Sequence, residues 1–382
     1  MKYEFDNLPN RRNTHSYKWD IKDNELPLWV ADMDFKTCPA VISAVKEKAE
    51  IGAYGYTFIP DEYFLAYQAL WKKRHHIEFD TSWMIYTSGV VAAMSSIVRS
   101  MTNVGDKVVV LEPVYNIFYN SILNNKREAY PSSLIYKDGH YSINFEDLEE
   151  KFKDEKTSLL IFCNPHNPVG KIFTYEELKK VGDLARKYNV AVLSDEIHCD
   201  ITDPGKEYIP FYAVPSNQDI AITAISCGKA FNLAGMQSAC IVIKNPDIKK
   251  KVERAFNNDE VAEPNFFAIE ANIAALTKGE EWLNELNKYI YQNKVMFREY
   301  VSKEMPKLHV VDSEATYLLW VDVSKYGDDS SLIAKELREK TGLVVSAGNI
   351  FGVSGKSFIR INLATSKANV LDALERMKSF FK

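Results

Sequence analysis

The sequence predicts an α/β fold, a mostly parallel sheet covered by helices and followed by a smaller α+β domain. Three observations point there. Apolar runs of strand character recur at Met84–Thr87, Lys107–Leu111, Leu159–Cys163, Val190–Ser194 and Ala221–Ile225, and each ends at a polar or turn-rich segment. Between them, apolar residues fall at three- and four-residue spacings, so strands alternate with helices as in right-handed βαβ units. A chain of 382 residues is also too long for one compact core and suits two domains.

Taken in order, residues 1–25 are polar and aromatic without a clear period and form an arm leading into Leu-Pro-Leu-Trp-Val-Ala-Asp-Met-Asp-Phe at 26–35. Val41, Ile42, Val45 and Ala49 mark a helix that Gly52-Ala-Tyr-Gly-Tyr-Thr breaks. The strand at Met84 meets Gly89 and turns into a helix at Val90. Leu159–Cys163 runs into Asn164-Pro-His-Asn-Pro-Val-Gly170, and Thr174-x-x-Glu177 is a capping box for a helix with the stripe Leu178, Val181, Leu184, Ala185 and Tyr188. Val190–Ser194 delivers Asp195, and Ala221–Ile225 delivers Ser226 and Lys229. A long helical stretch, strands at 315–323 and 357–363, and helices through Leu332–Leu337 and Val370–Phe381 complete the chain. The sheet domain is expected over 45–285, and the smaller domain over 286–382 together with the arm, 1–44.

Composition narrows the function. With 46% hydrophobic and 26% charged residues the chain is an ordinary soluble globular protein. A net charge of −5 and a pI near 5.9 argue against a nucleic-acid partner, and Lys249–Lys251 is a short run suited to a solvated helix face. No apolar run approaches 18 residues, so no membrane partner is expected. The five cysteines are widely spaced and odd in number, which suits neither a disulfide framework nor a zinc site and points to the reducing cytoplasm with no bound metal.

Lys229 is the candidate working group. A parallel sheet binds its ligands at the carboxyl ends of its strands, and Lys229 follows one such end. It lacks the glycine spacing of a phosphate-loop lysine, with Thr223 and Ala230 at the wrong places, which leaves a surface lysine or a Schiff-base lysine desolvated by its Ala, Phe, Leu and Met neighbours. Asp195 ends another apolar strand, where a carboxylate is costly unless a cation pairs with it; a cap, a structural ion pair and a protonated pyridine nitrogen all meet that need. In Asn164–Gly170, two X-Pro pairs stiffen the backbone that carries Asn167, either as a plain rigid turn or to aim its amide. Gly89, Val90 and Val91 open a helix whose free amides suit a phosphate.

Together, Ser226-x-x-Lys229, Asp195-x-x-His198, Asn167 in Asn-Pro-His-Asn-Pro-Val-Gly and Arg360 in Phe-Ile-Arg-Ile-Asn resemble fold-type I, aspartate-aminotransferase-like enzymes that use pyridoxal 5'-phosphate (PLP). The segments at 28–35, Tyr54-Gly-Tyr-Thr, Pro113–Tyr119, Ser194–Asp200 and Lys229–Gly235 resemble the MalY/PatB-type cystathionine β-lyases within that group. The resemblance implies that Lys229 carries the cofactor as a Schiff base and acts as the catalytic base, that Asp195 pairs with the pyridine nitrogen, that Asn167 bonds the phenolic oxygen and that Tyr115 stacks on the ring. It further implies that Gly89, Val90, Val91 and Ser226 hold the phosphate, that Tyr56 reaches across a homodimer with shared sites, and that Arg360, with Ala31 and Tyr56, meets the small amino-acid substrate.

Two positions depart from the aminotransferase pattern. Gln237 stands where an arginine is usual, and His198 where a tyrosine is usual; His198 is expected to approach the phenolic oxygen and to titrate near neutrality. Both departures fit the lyase subgroup. The expected activity is cleavage of the Cβ–S bond of cystathionine or cysteine-like substrates, with a PLP aminotransferase and a regulatory protein on a PLP scaffold as the other readings.

Overall fold

A computed structural model describes residues 2–382. Seven strands form the large sheet in the order Met84–Thr87, Ala239–Val242, Ala221–Ile225, Ala191–Asp195, Thr157–Cys163, Lys107–Glu112 and Glu128–Ser133. All are parallel except Ala239–Val242, which runs antiparallel to both neighbours. The five predicted runs are five of these strands. They are apolar throughout because both faces are covered: Val108, Val110, Leu159 and Ile161 enter one core, while Val109, Leu111, Leu160 and Phe162 enter another on the opposite face.

The other two strands gave weaker signals. Glu128–Ser133 is an edge strand that pairs on one side only and contains Pro131, so it needs no continuous apolar run. Ala239–Val242 is four residues long and follows Gln237, whose φ of 49° ends a short 3₁₀ turn. Its reversed direction brings Ser238, just before its first residue, to the same sheet edge as the ends of its parallel neighbours.

Helices seal both faces. Val90–Met101 buries Ala93, Met94, Ile97 and Val98, and Tyr175–Lys187 starts at the predicted capping box, with Thr174 Oγ1 accepting from Glu177 N at 3.1 Å and Glu177 Oε2 accepting from Thr174 N at 2.9 Å. A second, antiparallel sheet has the order His309–Val310, Leu318–Asp322, Phe358–Asn362, Ser346–Ala347. It has its own core, which includes Leu319, Val321, Ile359, Leu374 and Met377. The Leu26–Pro27 segment pairs in parallel with Leu343–Val344, tying the amino-terminal arm to this part of the molecule. The 25-residue helix Glu280–Glu304 spans position 285 and serves both cores, burying Trp282, Leu283 and Leu286 in one and Phe297 and Val301 in the other. Among the described residues, no helix is long and apolar enough to cross a membrane.

Candidate active site

Parallel strands leave their carboxyl ends on one edge of the large sheet, and a cavity of about 210 Å³ opens there. Gly89, Val90, Val91, Tyr115, Asp195, Ser226, Lys229 and Gln237 line it, so eight of the predicted residues meet at one place. Gly89 caps the Val90–Met101 helix at φ 133°, a left-handed conformation that a side chain would strain, and leaves the first-turn amides of Val90 and Val91 unpaired within the helix. Ser226 begins the turn that carries Lys229: its Oγ accepts from Gly228 N at 3.0 Å and donates to Ser238 O at 2.7 Å.

Lys229 Nζ donates to the Ala31 carbonyl at 2.6 Å. Burial, reinforced by the nearby Arg360 charge, lowers its pKa to about 8, against the opposing pull of Asp32 and Asp195. Asp195 is 3% exposed, and its carboxylate accepts only from Ile197 N, at 3.3 Å. Among the described residues no cation lies within 4.0 Å of it, so burial pushes its pKa up to about 7. No helix begins directly after Asp195, so this contact is a turn bond and not a helix cap, and among the described residues the carboxylate has no ion pair.

Asn167, His198, Ala31 and Arg360 do not line the cavity; Ala31 meets it through Lys229, and Arg360 bonds to Asn167. Arg360, from the Phe358–Asn362 strand, donates through Nη1 to Asn167 Oδ1 at 3.1 Å and through Nη2 to Trp29 O at 3.0 Å, while its buried Nε has no partner. Its guanidinium sits 4.6 Å from the Phe351 ring centre, and burial lowers its pKa to about 10. His198 is buried against Tyr317, with ring centres 6.1 Å apart, and its Nδ1 has no partner. The expectation that it titrates near neutrality is corrected here: burial, then the Lys229 and Arg360 charges, hold its pKa well below the usual imidazole value and keep it neutral. Tyr56 is fully exposed and lies outside the cavity of its own chain.

Sequence reasoning missed Tyr317 and Trp29. Tyr317 is fully buried and donates to the Ala31 carbonyl at 3.0 Å; its only sequence signal was a polar atom inside an apolar strand segment. Trp29 acts through its main-chain carbonyl, which also accepts from Ser346 Oγ at 2.9 Å and leaves no trace in residue type.

The donor set fits PLP. A glycine-capped helix start suits a phosphate, and a buried carboxylate without a cation suits a ring nitrogen that carries a proton. An amine of lowered pKa faces the cavity, and His198 Nδ1 and Arg360 Nε are buried polar atoms still lacking partners. The sequence pattern of the aminotransferase class I and II family matches residues 23–377. The chain belongs to that family.

Relatives within the family sharpen the placement. Cystathionine β-lyase PatB of Bacillus subtilis is 37% identical over 384 residues, covering 98% of this chain and 99% of that protein. Cystalysin of Treponema denticola, solved with PLP, superposes with a TM-score of 0.96 at 33% identity, covering 99% of this chain and 98% of that one. The PLP-bound C–S lyase of Staphylococcus hominis gives 0.94 at 32% identity, covering 100% and 98%. PLP is thus the cofactor of the family branch to which the chain is similar, and the fold is that of the PLP-dependent aminotransferases.

Proposed function

We propose that this protein is a cytoplasmic PLP-dependent carbon–sulfur β-lyase that cleaves cystathionine or cysteine-like substrates to a thiol, pyruvate and ammonia. The observation that carries the proposal is the pairing of a Lys229 amine poised near pKa 8 with a buried, cation-free Asp195 in one cavity. The relatives named for C–S lysis at 32 to 37% identity support this choice within the family.

Each residue has a task. Gly89, Val90, Val91 and Ser226 would hold the cofactor phosphate, with Gln237 in place of a cation and the partner's Tyr56 completing the site in a homodimer. Asp195 would keep the ring nitrogen protonated, Asn167 and His198 would serve the phenolic oxygen, and Tyr115 would stack on the ring. PLP, when bound, supplies an electron sink for the substrate's α-carbon. Arg360 clamps the α-carboxylate through its planar fork, placing the Cα–H towards Lys229. Neutral Lys229 takes that proton as general base, the electron pair left on the α-carbon expels the β-sulfur as a thiolate that takes up a proton, and water releases the remaining three-carbon unit as pyruvate and ammonia. Residues 45–285 act as the cofactor-binding unit, and 1–44 with 286–382 as the unit bringing Ala31 and Arg360.

Incubating the purified holoenzyme with cystathionine should yield stoichiometric pyruvate without added keto acid. Amino-group transfer to 2-oxoglutarate with no pyruvate would instead make the protein an aminotransferase.

A further inference from the structure

Glu112 ends its strand, Lys107–Glu112, at the same sheet edge as the cavity, yet it is not among the residues that line that cavity. It is 4% exposed and has no cation within 4.0 Å among the described residues. Its two oxygens divide their work. Oε2 accepts from Tyr119 Oη at 2.7 Å, within the large-sheet region, and Oε1 accepts from Ser354 N at 2.7 Å, in the segment Val353–Gly355 before the Phe358–Asn362 strand. Next to this contact, Val114 N donates to Phe351 O at 2.8 Å. The approach is close enough to require Gly352, at φ 117°, since a Cβ there would fall 2.4 Å from Glu112 Oε2.

The tied segment carries Phe351. That ring is fully buried, packs edge-on against Trp320 at 5.3 Å and lies 4.6 Å from the Arg360 guanidinium. Glu112 therefore reaches Arg360 through one short segment: it holds Ser354, three residues after Phe351, and the Phe351 ring lies against the Arg360 guanidinium. We propose that Glu112 is a positioning residue for substrate-carboxylate recognition: by tying the Val353–Gly355 segment to the large sheet, it keeps Phe351 under Arg360 and the guanidinium fork at the angle a carboxylate requires. This rests on the reading that Arg360 receives the α-carboxylate. A buried carboxylate with two neutral donors and no cation is a costly way to hold a loop, and a site that must fix an arginine plane gives that cost a purpose.

The test uses the holoenzyme and two ligands that do not react with the cofactor, 3-(methylthio)propionate and its uncharged amide, with binding read by calorimetry. Glu112→Ala should weaken the acid by roughly 10- to 100-fold, the scale of a misplaced clamp, and leave both the amide and the cofactor absorbance unchanged. Glu112→Gln keeps an acceptor for Ser354 N and should restore most of the loss. In an Arg360→Ala background, Glu112→Ala should cost the acid nothing more. Should Glu112→Ala fail to fold, Tyr119→Phe carries the same comparison with a smaller loss on the acid alone. Equal loss on acid and amide, or no loss while Arg360→Ala discriminates between them, overturns the role of Glu112 alone. An Arg360→Ala variant that treats the two ligands as wild type does overturns the carboxylate assignment of Arg360 and the proposal with it.

Discussion

Lys229 and Tyr317 donate to the same oxygen, the carbonyl of Ala31, at 2.6 and 3.0 Å. A carbonyl has two lone pairs and both are used, so the acceptor stays satisfied if either donor leaves. With Lys229 committed to the cofactor, as proposed above, Tyr317 would be the carbonyl's remaining partner. Tyr317→Phe should therefore destabilise the holoenzyme by about 1 kcal/mol more than the cofactor-free protein, measured by denaturant unfolding of each. An equal effect on both forms would mean that Lys229 never releases Ala31.

Borohydride reduction of the PLP-loaded protein should fix the cofactor on Lys229, as read by peptide mapping. A label on any other lysine would remove Lys229 from its assigned role.

Asp195 gives a pH signature in the cofactor-free protein. Its folded pKa is raised from 3.8 to about 7, so between those values the folded chain holds a proton that the unfolded chain has lost, and stability falls as pH rises through 7. Asp195→Asn has no such proton. The variant should be more stable than wild type at pH 8, by at most about 4 kcal/mol, and the gap should close as pH falls towards 4. PLP should narrow the gap at pH 8 by giving the wild-type carboxylate its cation. The same variant should lose turnover on the order of 10²- to 10³-fold, because a neutral amide does not hold the ring nitrogen protonated.

Arg360→Ala should lower kcat/KM by roughly 10²- to 10³-fold, the worth of a charge-assisted two-point contact, and Arg360→Lys should recover little because a point charge cannot replace a planar fork. Steady-state kinetics with cystathionine check both.

Tyr56 is fully exposed, with Tyr54 at 62% and Phe58 at 80% beside it, an aromatic patch suited to burial against a second copy. Light scattering should show a dimer, and Tyr56→Phe should weaken PLP binding about tenfold, the loss of one hydrogen bond. A fully active monomer would end the shared-site reading.

What the sequence disclosed depended on where the information sat. Lys229, Asp195 and Gly89 each follow an apolar strand, so a strand pattern together with one residue type located them. Arg360 and Asn167 were legible through the segments that surround them. Ala31 and Trp29 work through main-chain carbonyls that any residue would offer, and Tyr317 acts through contacts with residues almost 300 positions away. The neutrality of His198 was hidden for a similar reason. Its local sequence gives an ordinary imidazole, and only the packed interior with two nearby cations drives the proton off. The Ala239–Val242 strand was too short to show a period of its own.

The helix Glu280–Glu304 contributes side chains to two separate hydrophobic interiors. Neither interior can melt without stripping the helix of half its support, and a cut anywhere along it would leave each fragment with an open apolar flank. Heating should thus produce a single endotherm rather than two, and the halves, expressed apart, should aggregate instead of folding as independent modules. The core under the second sheet and one of the two cores of the large sheet should therefore unfold as one cooperative unit, joined by a beam that belongs to both.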